Sequence, residues 1–302
     1  MKKILSLFLV LFFVASCGGG GDSTSSAPEQ PVMPEQPEPV TNIDPDVPLF
    51  IFGDEVTEEQ KEKIRNTTYR IIHFYADEYG VTLRKNVTFH AYVDYENFLE
   101  GYTEFHGEGA TPEFLQWVRD SIEEERRITG RVSWGTFDGD GIFFLGSHII
   151  ENTRNLIHLI AHEYFHAYQT TDHERPYWFI EGSARYAEAL ALEYFGQPLD
   201  GPTGYYSKQA EINYVRGSDQ SLEAIELNDD FFALDDSHVG YVLGRLGAEY
   251  LVDHYGGFEA IVEFYRDYGS NWEDLFEEAF GISINEFYRE FGEYQSGGFQ
   301  SN

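Results

Sequence analysis

Residues 162–166 read HEYFH, the pattern H-E-x-x-H, and this stretch constrains the chain more than any other feature. On an α-helix, residues four apart lie on one face, so His162 and His166 can point at the same ion. The Glu163 side chain is rotated about 100° around the helix axis from that of His162, so it can contact a water molecule bound to that ion. The alternative is an ordinary helix of core or surface residues, in a chain that has 10 histidines.

A zinc site with catalytic ability needs a third protein ligand and leaves its fourth position open. The sequence after HEYFH predicts a polar turn ending in Pro176 and a second helix over 177–195. Two antiparallel helices with a short connection place Glu181 opposite His166. Glu181 also lies within the apolar stretch YWFIEG, where an unpaired carboxylate would be costly to bury. We therefore predict a metal site made by His162, His166 and Glu181.

The two helical segments resemble the gluzincin metallopeptidases. HEYFH followed by WFIEGSARYAE is similar to the W-x-x-E-G-x-A-x-Y-x-E segment of peptidase-MA-like and M1-type proteins. The later stretches GYVLGRLGAEYLVDHYGG and WEDLFEEAFGISINEFYREF resemble the helical tail of peptidase-MA-like domains. The resemblance covers residues 130–297. It implies an α+β, zincin-like (thermolysin-like) fold and a zinc metallopeptidase that hydrolyses peptide bonds in a peptide or protein substrate.

The resemblance also implies roles for individual residues. His162, His166 and Glu181 would be ligands of one Zn2+ ion, and Glu163 would be the catalytic base. Glu188 matches a family acid that lies behind the ligands. The strand GIFFLG, from the hairpin, would be the edge strand along which an extended peptide lies.

The tetrahedral intermediate of such a reaction needs a donor for its oxyanion besides the metal. By resemblance the donor is a tyrosine at the start of a later helix, and Tyr241 in SHVGYVLG fits that place. His238 is an alternative of the kind that thermolysin-like enzymes use. An ordinary packing role for Tyr241 also stays open, because the chain has 21 tyrosines. For His158, one turn before His162, we expect core packing or a bond that supports a ligand.

Three features depart from the related families. The spacing from His166 to Glu181 is shorter than in M1 aminopeptidases, and no segment corresponds to their G-A-M-E-N sequence, which argues for an endopeptidase instead. Arg185 stands where thermolysin-like enzymes have an aspartate. The rival hypothesis is a catalytically inactive, metallopeptidase-like lipoprotein that binds peptide, glycan or another envelope protein.

The N-terminus predicts export. Residues 1–16 combine a basic start with an apolar run too short to span a bilayer, which is typical of a secretory signal peptide. The letters VASC resemble a bacterial lipobox, so Cys17 is the expected lipidation site and membrane anchor; an ordinary signal peptide with a chance cysteine is the alternative. The expected location is the bacterial cell envelope, periplasmic or surface-exposed. Gly18, not an aspartate, follows the cysteine and favours the outer membrane in a Gram-negative organism.

Residues 17–48 are rich in Gly, Ser, Pro and Glu and predict a disordered linker after the lipidated cysteine. The expected peptidase domain covers 49–302, with an α/β part over 49–150 and a helical part over 151–297. It can form no intramolecular disulfide, because the chain has one cysteine. A formal charge of −33 argues against nucleic-acid binding, which needs clustered Lys and Arg. The acidity fits a salty habitat, a cationic partner or simple solubility.

Hydrophobic periodicity and turn residues predict the elements of the domain. The hairpin is expected to turn at the letters DGDG, which lack the later ligands of a calcium loop. Thr57 is the expected N-cap of the first helix, and Gly80 its stop. The predicted helices are 57–79, 113–127, 152–170, 177–195, 240–255, 257–267, 271–280 and 284–297, and the predicted strands are 86–95, 130–137 and 142–146.

Overall fold

The computed structural model describes residues 48–83, 85–107, 110–129, 134–169, 175–197, 199, 207–234, 236–266 and 271–300. The predicted signal peptide, Cys17 and almost all of the predicted linker lie outside these residues, as does the start of the predicted hairpin. Within the described part of the chain, no helix combines the length and the apolar character that crossing a membrane requires.

The described residues form a mixed α/β structure that is mostly helical and has one small sheet of four strands. The strands are β1 (Leu49–Phe52), β2 (Thr88–Tyr92), β3 (Trp134–Asp138) and β4 (Gly141–Leu145). The helices are α1 (Glu58–Tyr79), α2 (Tyr95–His106), α3 (Pro112–Thr129), α4 (Ser147–Glu151), α5 (Thr153–Gln169), α6 (Tyr177–Tyr194), α7 (Lys208–Val215), α8 (Asn228–Phe232), α9 (Ser237–His254), α10 (Gly257–Arg266), α11 (Trp272–Phe280) and α12 (Ile284–Ser296).

The first helix, α1, begins and ends where the sequence predicts. The Thr57 hydroxyl accepts a hydrogen bond from the Gln60 backbone at 3.3 Å, and the Gln60 side chain accepts one from the Thr57 backbone at 2.9 Å. This reciprocal capping box satisfies two backbone donors that a helix start leaves unpaired. Gly80 ends the helix in the left-handed conformation, at φ 66°.

The prediction of one long strand over 86–95 was wrong at its C-terminal end. The strand ends at Tyr92, and helix α2, which the sequence analysis missed, begins at Tyr95. Asp94 explains the change of structure, because its carboxylate accepts hydrogen bonds from the Glu96 and Asn97 backbone at 3.0 and 3.1 Å. An aspartate in this position is a strong helix N-cap. The short elements β1, α4, α7 and α8 were also not predicted.

The sheet has the strand order β1-β2-β4-β3, in which β2 is parallel to β1 and to β4, and β3 is antiparallel to β4. The prediction that GIFFLG is the edge strand was therefore wrong, because β4 pairs with a strand on each side. All five residues of β4 are buried, and a continuous apolar run is typical of a strand covered on both faces. The hairpin instead places β3 at the edge.

Helix α6 packs between α5 and α9 in the main core. The contact with α9 depends on two glycines, since a Cβ atom on Gly182 would lie 2.2 Å from the backbone carbonyl of Gly244. Only residues without a side chain allow two helix backbones to approach so closely. This close packing brings Gly244 of α9 next to the part of α6 that carries Glu181.

Candidate metal centre

Helix α5 carries the two histidines of the HEYFH pattern into the core. Their Nε2 atoms lie 2.9 Å apart, with the rings nearly perpendicular at 84°. His162 and His166 are each only 1% exposed. The i and i+4 spacing thus brings both rings to one point, as the sequence predicts.

The third predicted ligand reaches the same point from α6. Glu181 is fully buried, and its Oε2 atom lies 3.5 Å from Nε2 of His162 and 3.5 Å from Nε2 of His166. These separations are long for hydrogen bonds. A tetrahedral zinc ion with bonds of about 2.1 Å would keep its ligand atoms roughly 3.4 Å apart, which is close to both Glu181 distances and longer than the 2.9 Å between the two Nε2 atoms. The three side chains therefore form a buried group that could hold a metal ion.

The charges around the group favour a cation between the three ligand atoms. Desolvation lowers the pKa of His162, but the neighbouring carboxylates of Glu181 and Glu188 outweigh it and raise the pKa to about 10. Burial raises the pKa of Glu181, but the neighbouring imidazoles of His166 and His162 bring it down to about 2. Positive charge is thus stabilised at this point, and a metal ion would compete with a proton for it.

Glu188 lies behind His162, on the side away from the three ligand atoms. Its Oε2 atom is 3.0 Å from Nδ1 of His162 and 2.9 Å from Nδ1 of His158. Burial acts to raise the pKa of Glu188, but the His158 charge and the bonds with both rings hold it well below its ordinary value. An ionised carboxylate only accepts hydrogen bonds, so Nδ1 of His162 donates and its Nε2 atom is left for the metal.

Glu163 follows His162 on α5, and the groups that affect its carboxyl include His162, His166 and the Phe137 backbone of β3. It is fully buried. Burial raises the pKa of its carboxyl group to about 7, although the charges of His162 and His166 and the Phe137 backbone of β3 act to lower it. A carboxyl group with a pKa near neutrality can both accept and release a proton at physiological pH.

The two predicted oxyanion donors differ in their surroundings. Burial, with the negative charges of Glu181 and Glu163, holds the pKa of the Tyr241 hydroxyl well above its ordinary value. His238 instead responds to Arg185, whose charge adds to burial and lowers its pKa to about 3. The charge of Arg185 acts on both groups, whereas the charges of Glu181 and Glu163 act on Tyr241.

Two residues that the sequence analysis missed also lie at the site. Gln169 is hydrogen-bonded to Nδ1 of His166 at 2.7 Å. Tyr177 lies one turn before Glu181 on α6, and burial, with the charges of Glu181, Tyr241 and Glu163, raises the pKa of its hydroxyl well above the ordinary value. The signal was present in the sequence, because Gln169 follows His166 by three residues and Tyr177 precedes Glu181 by four, spacings that share a helix face.

Arg185 does not take the part of the aspartate found in thermolysin-like enzymes. Its guanidinium lies 3.2 Å from the carboxylate of Glu211, on α7, and Arg245 of α9 pairs with the same carboxylate. All three side chains are buried. Arg185 therefore belongs to an ion network that joins α6, α7 and α9, while Glu188 is the carboxylate behind His162.

A scan against protein-family models finds no match for the chain, and a search of curated proteins finds no similar sequence. The interpretation of this site accordingly depends on its own geometry and charges.

Proposed function

We propose that the protein is a zinc-dependent metallopeptidase of the gluzincin type, with a zincin-like fold, that cleaves peptide or protein substrates. The observation that carries the proposal is the convergence of His162, His166 and Glu181 on one buried point, with Glu163 beside it. As part of the same proposal, the lipid on Cys17 anchors the enzyme in the bacterial cell envelope.

The donor set supports zinc as the metal. Two imidazole nitrogens and one carboxylate oxygen form the three-ligand arrangement of catalytic zinc sites, in which the fourth position stays open. Among the residues that the structure describes, these three side chains are the group that meets the distance requirement for a metal. Imidazole ligands suit zinc, whereas magnesium and calcium prefer sites made of oxygen atoms.

When bound, zinc would supply Lewis-acid chemistry, since it makes a water acidic near neutral pH and polarises a carbonyl group. Glu163 would take the proton from the attacking water and later donate it to the leaving amine. Its pKa of about 7 suits both directions of proton transfer. Tyr241 would donate a hydrogen bond to the oxyanion, and its raised pKa keeps the hydroxyl protonated for that purpose.

The edge of the sheet supports a peptide as the substrate. Within the described residues, β3 pairs with β4 alone, so its other edge has backbone groups that an extended peptide can join as an additional strand. Phe137 of β3 lies close enough to Glu163 to affect its pKa. A peptide aligned along β3 would therefore pass the catalytic base.

Metal analysis and hydrolysis assays on purified full-length protein test the proposal. We expect about one zinc ion per chain in the wild type and much less in Glu181→Ala, because three ligands are needed to hold the ion. Glu163→Gln should retain zinc but lose hydrolysis of a fluorogenic peptide library. Glu193→Gln, an exposed substitution on the same helix as Glu181, is the matched control.

Each assay can contradict a different part of the proposal. Full activity in Glu163→Gln would contradict the proposed role of Glu163 as the catalytic base. Stoichiometric zinc with no hydrolysis of any library peptide by the wild type would favour the inactive, peptide-binding alternative. If the wild-type protein folds but takes up no zinc, the result would contradict the proposed metal site itself.

A further inference from the structure

Gln169, the last residue of α5, contacts both helices that carry the candidate metal ligands. Its Oε1 atom lies 2.7 Å from Nδ1 of His166. Its Nε2 atom donates to the backbone carbonyl of Ile180 at 2.9 Å and to the hydroxyl oxygen of Ser183 at 2.8 Å. The side chain is buried. One buried amide thus joins His166 to the residues on either side of Glu181.

The carbonyl of Ile180 determines which way round the amide of Gln169 lies. A backbone carbonyl can only accept a hydrogen bond, so the amide nitrogen must face it and the amide oxygen must face His166. That oxygen also only accepts, so Nδ1 of His166 carries the hydrogen. In a neutral imidazole the lone pair is then on Nε2. This is the ring atom that lies 3.5 Å from Glu181.

The partner of Gln169 on α6 is itself held in place. The Ser183 hydroxyl lies 2.5 Å from the backbone carbonyl of Phe179 and 3.2 Å from the hydroxyl of Tyr265, on α10. A shift of α5 along α6 would break the bonds from Gln169 to Ile180 and Ser183. The amide therefore also maintains the alignment of the two ligand-carrying helices.

We propose that Gln169 is a positioning residue for the metal: it holds His166 in the tautomer and ring orientation that direct Nε2 at the ion. This inference depends on the zinc site of the proposed function. Glu188 has the corresponding place behind His162, but it is a carboxylate, whereas Gln169 is a neutral acceptor. The two ligand histidines are thus oriented by different chemical groups.

Zinc affinity of full-length variants, measured by competition with a chromophoric chelator, tests the inference. Gln169→Met fills the same space without an amide, and we expect its zinc affinity to fall about 10- to 100-fold, the usual effect of losing a residue that orients a ligand. The absorption spectrum of the Co2+-substituted protein should change as well, because the ring of His166 is no longer fixed. Gln169→Glu should stay near the wild-type affinity, since its carboxyl oxygen can still accept the hydrogen bond from Nδ1 of His166.

Ser183→Ala is the matched control, because it removes one partner of the Gln169 nitrogen and leaves the bond to His166. Its loss of zinc affinity should be smaller than that of Gln169→Met. If circular dichroism shows that the methionine variant does not fold, Gln169→Asn replaces it, with an amide one methylene too short to reach His166.

The outcomes separate this inference from the proposed function. A wild type that binds zinc, with Gln169→Met or Gln169→Asn binding it equally tightly, overturns the role of Gln169 and leaves the metal site intact. A glutamate variant as weak as the methionine variant also overturns it, because the acceptor towards His166 would then not matter. Failure of the wild type to bind zinc overturns both.

Discussion

The carboxylate of Glu188 lies 3.0 Å from Nδ1 of His162, on the opposite side of the ring from the nitrogen that faces His166. A carboxylate in this position fixes the tautomer of a ligand histidine and increases the basicity of its free nitrogen. Glu188 also contacts His158 at 2.9 Å, so its two partners can be tested separately.

We expect Glu188→Gln to weaken zinc binding about 10- to 100-fold, because an amide supports the imidazole less strongly and can turn its NH2 group towards the ring. Chelator competition measures the affinity. His158→Leu, which leaves the bond between Glu188 and His162 in place, should retain most of it. Equal losses in the two variants would contradict a specific role for the bond between Glu188 and His162.

Removal of the metal should lower the stability of the fold. An ion that binds only the folded state stabilises it by about 2.7 kcal/mol when its free concentration is 100 times Kd. We therefore expect the Tm in a calorimeter to rise with added zinc and to fall with a chelator. In Glu181→Ala the Tm should not respond to zinc. A wild-type Tm that is the same with zinc and with chelator would contradict the site.

The close crossing of α6 and α9 predicts opposite effects for two glycine substitutions. Gly182→Ala would force a Cβ atom against the backbone of Gly244, so we expect a loss of about 1–3 kcal/mol in the free energy of unfolding. Gly292 lies within α12, and a Cβ atom added there meets no atom within 4 Å. Gly292→Ala should therefore stabilise the protein by about 0.5–1 kcal/mol. Urea unfolding measures both, and a neutral Gly182→Ala would contradict the predicted steric overlap.

The burial of His90 leads us to expect that the folded protein loses stability in acid. This residue of β2 is 2% exposed and stacks on Phe143 with the ring centroids 4.2 Å apart. Burial, with the charge of His106, lowers its pKa from 6.5 to about 4. Because the folded protein binds a proton less readily than the unfolded chain, the neutral ring contributes stability above about pH 6.5. That stability is lost as the pH falls towards 4 and through it.

We expect His90→Phe to reduce the loss of stability between about pH 7 and about pH 4 by roughly 3 kcal/mol. Urea unfolding of the metal-free proteins measures it, because metal release in acid then makes no contribution. His106 and Asp138, which lie 3.2 Å apart nearby, are present in both proteins, so the comparison isolates His90. Parallel pH profiles for the two proteins would contradict the prediction.

The sequence alone was sufficient to locate the helices of the candidate site, because a helix repeats every few residues and its signals are local. Helix α5 was predicted as 152–170 and is observed as Thr153–Gln169, and α6 was predicted as 177–195 and is observed as Tyr177–Tyr194. The i and i+4 spacing of His162 and His166 and the register of Glu181 follow from the same regularity. The structure confirms that these three side chains meet. That they bind a zinc ion remains our proposal.

The tertiary structure alone decided the features that depend on residues far apart in the chain, such as strand pairing and the bonds between separate helices. The position of β4 inside the sheet depends on its pairing with β2, about 50 residues earlier, and no periodicity within GIFFLG indicates that pairing. The ion pair of Arg185 with Glu211 and the bond from Gln169 to Ile180 likewise join separate helices. Local hydrophobic patterns determined the helices and the ligand spacing of this protein. The long-range packing of buried polar groups, most of which find a partner in a folded protein, determined how the candidate ligands are oriented.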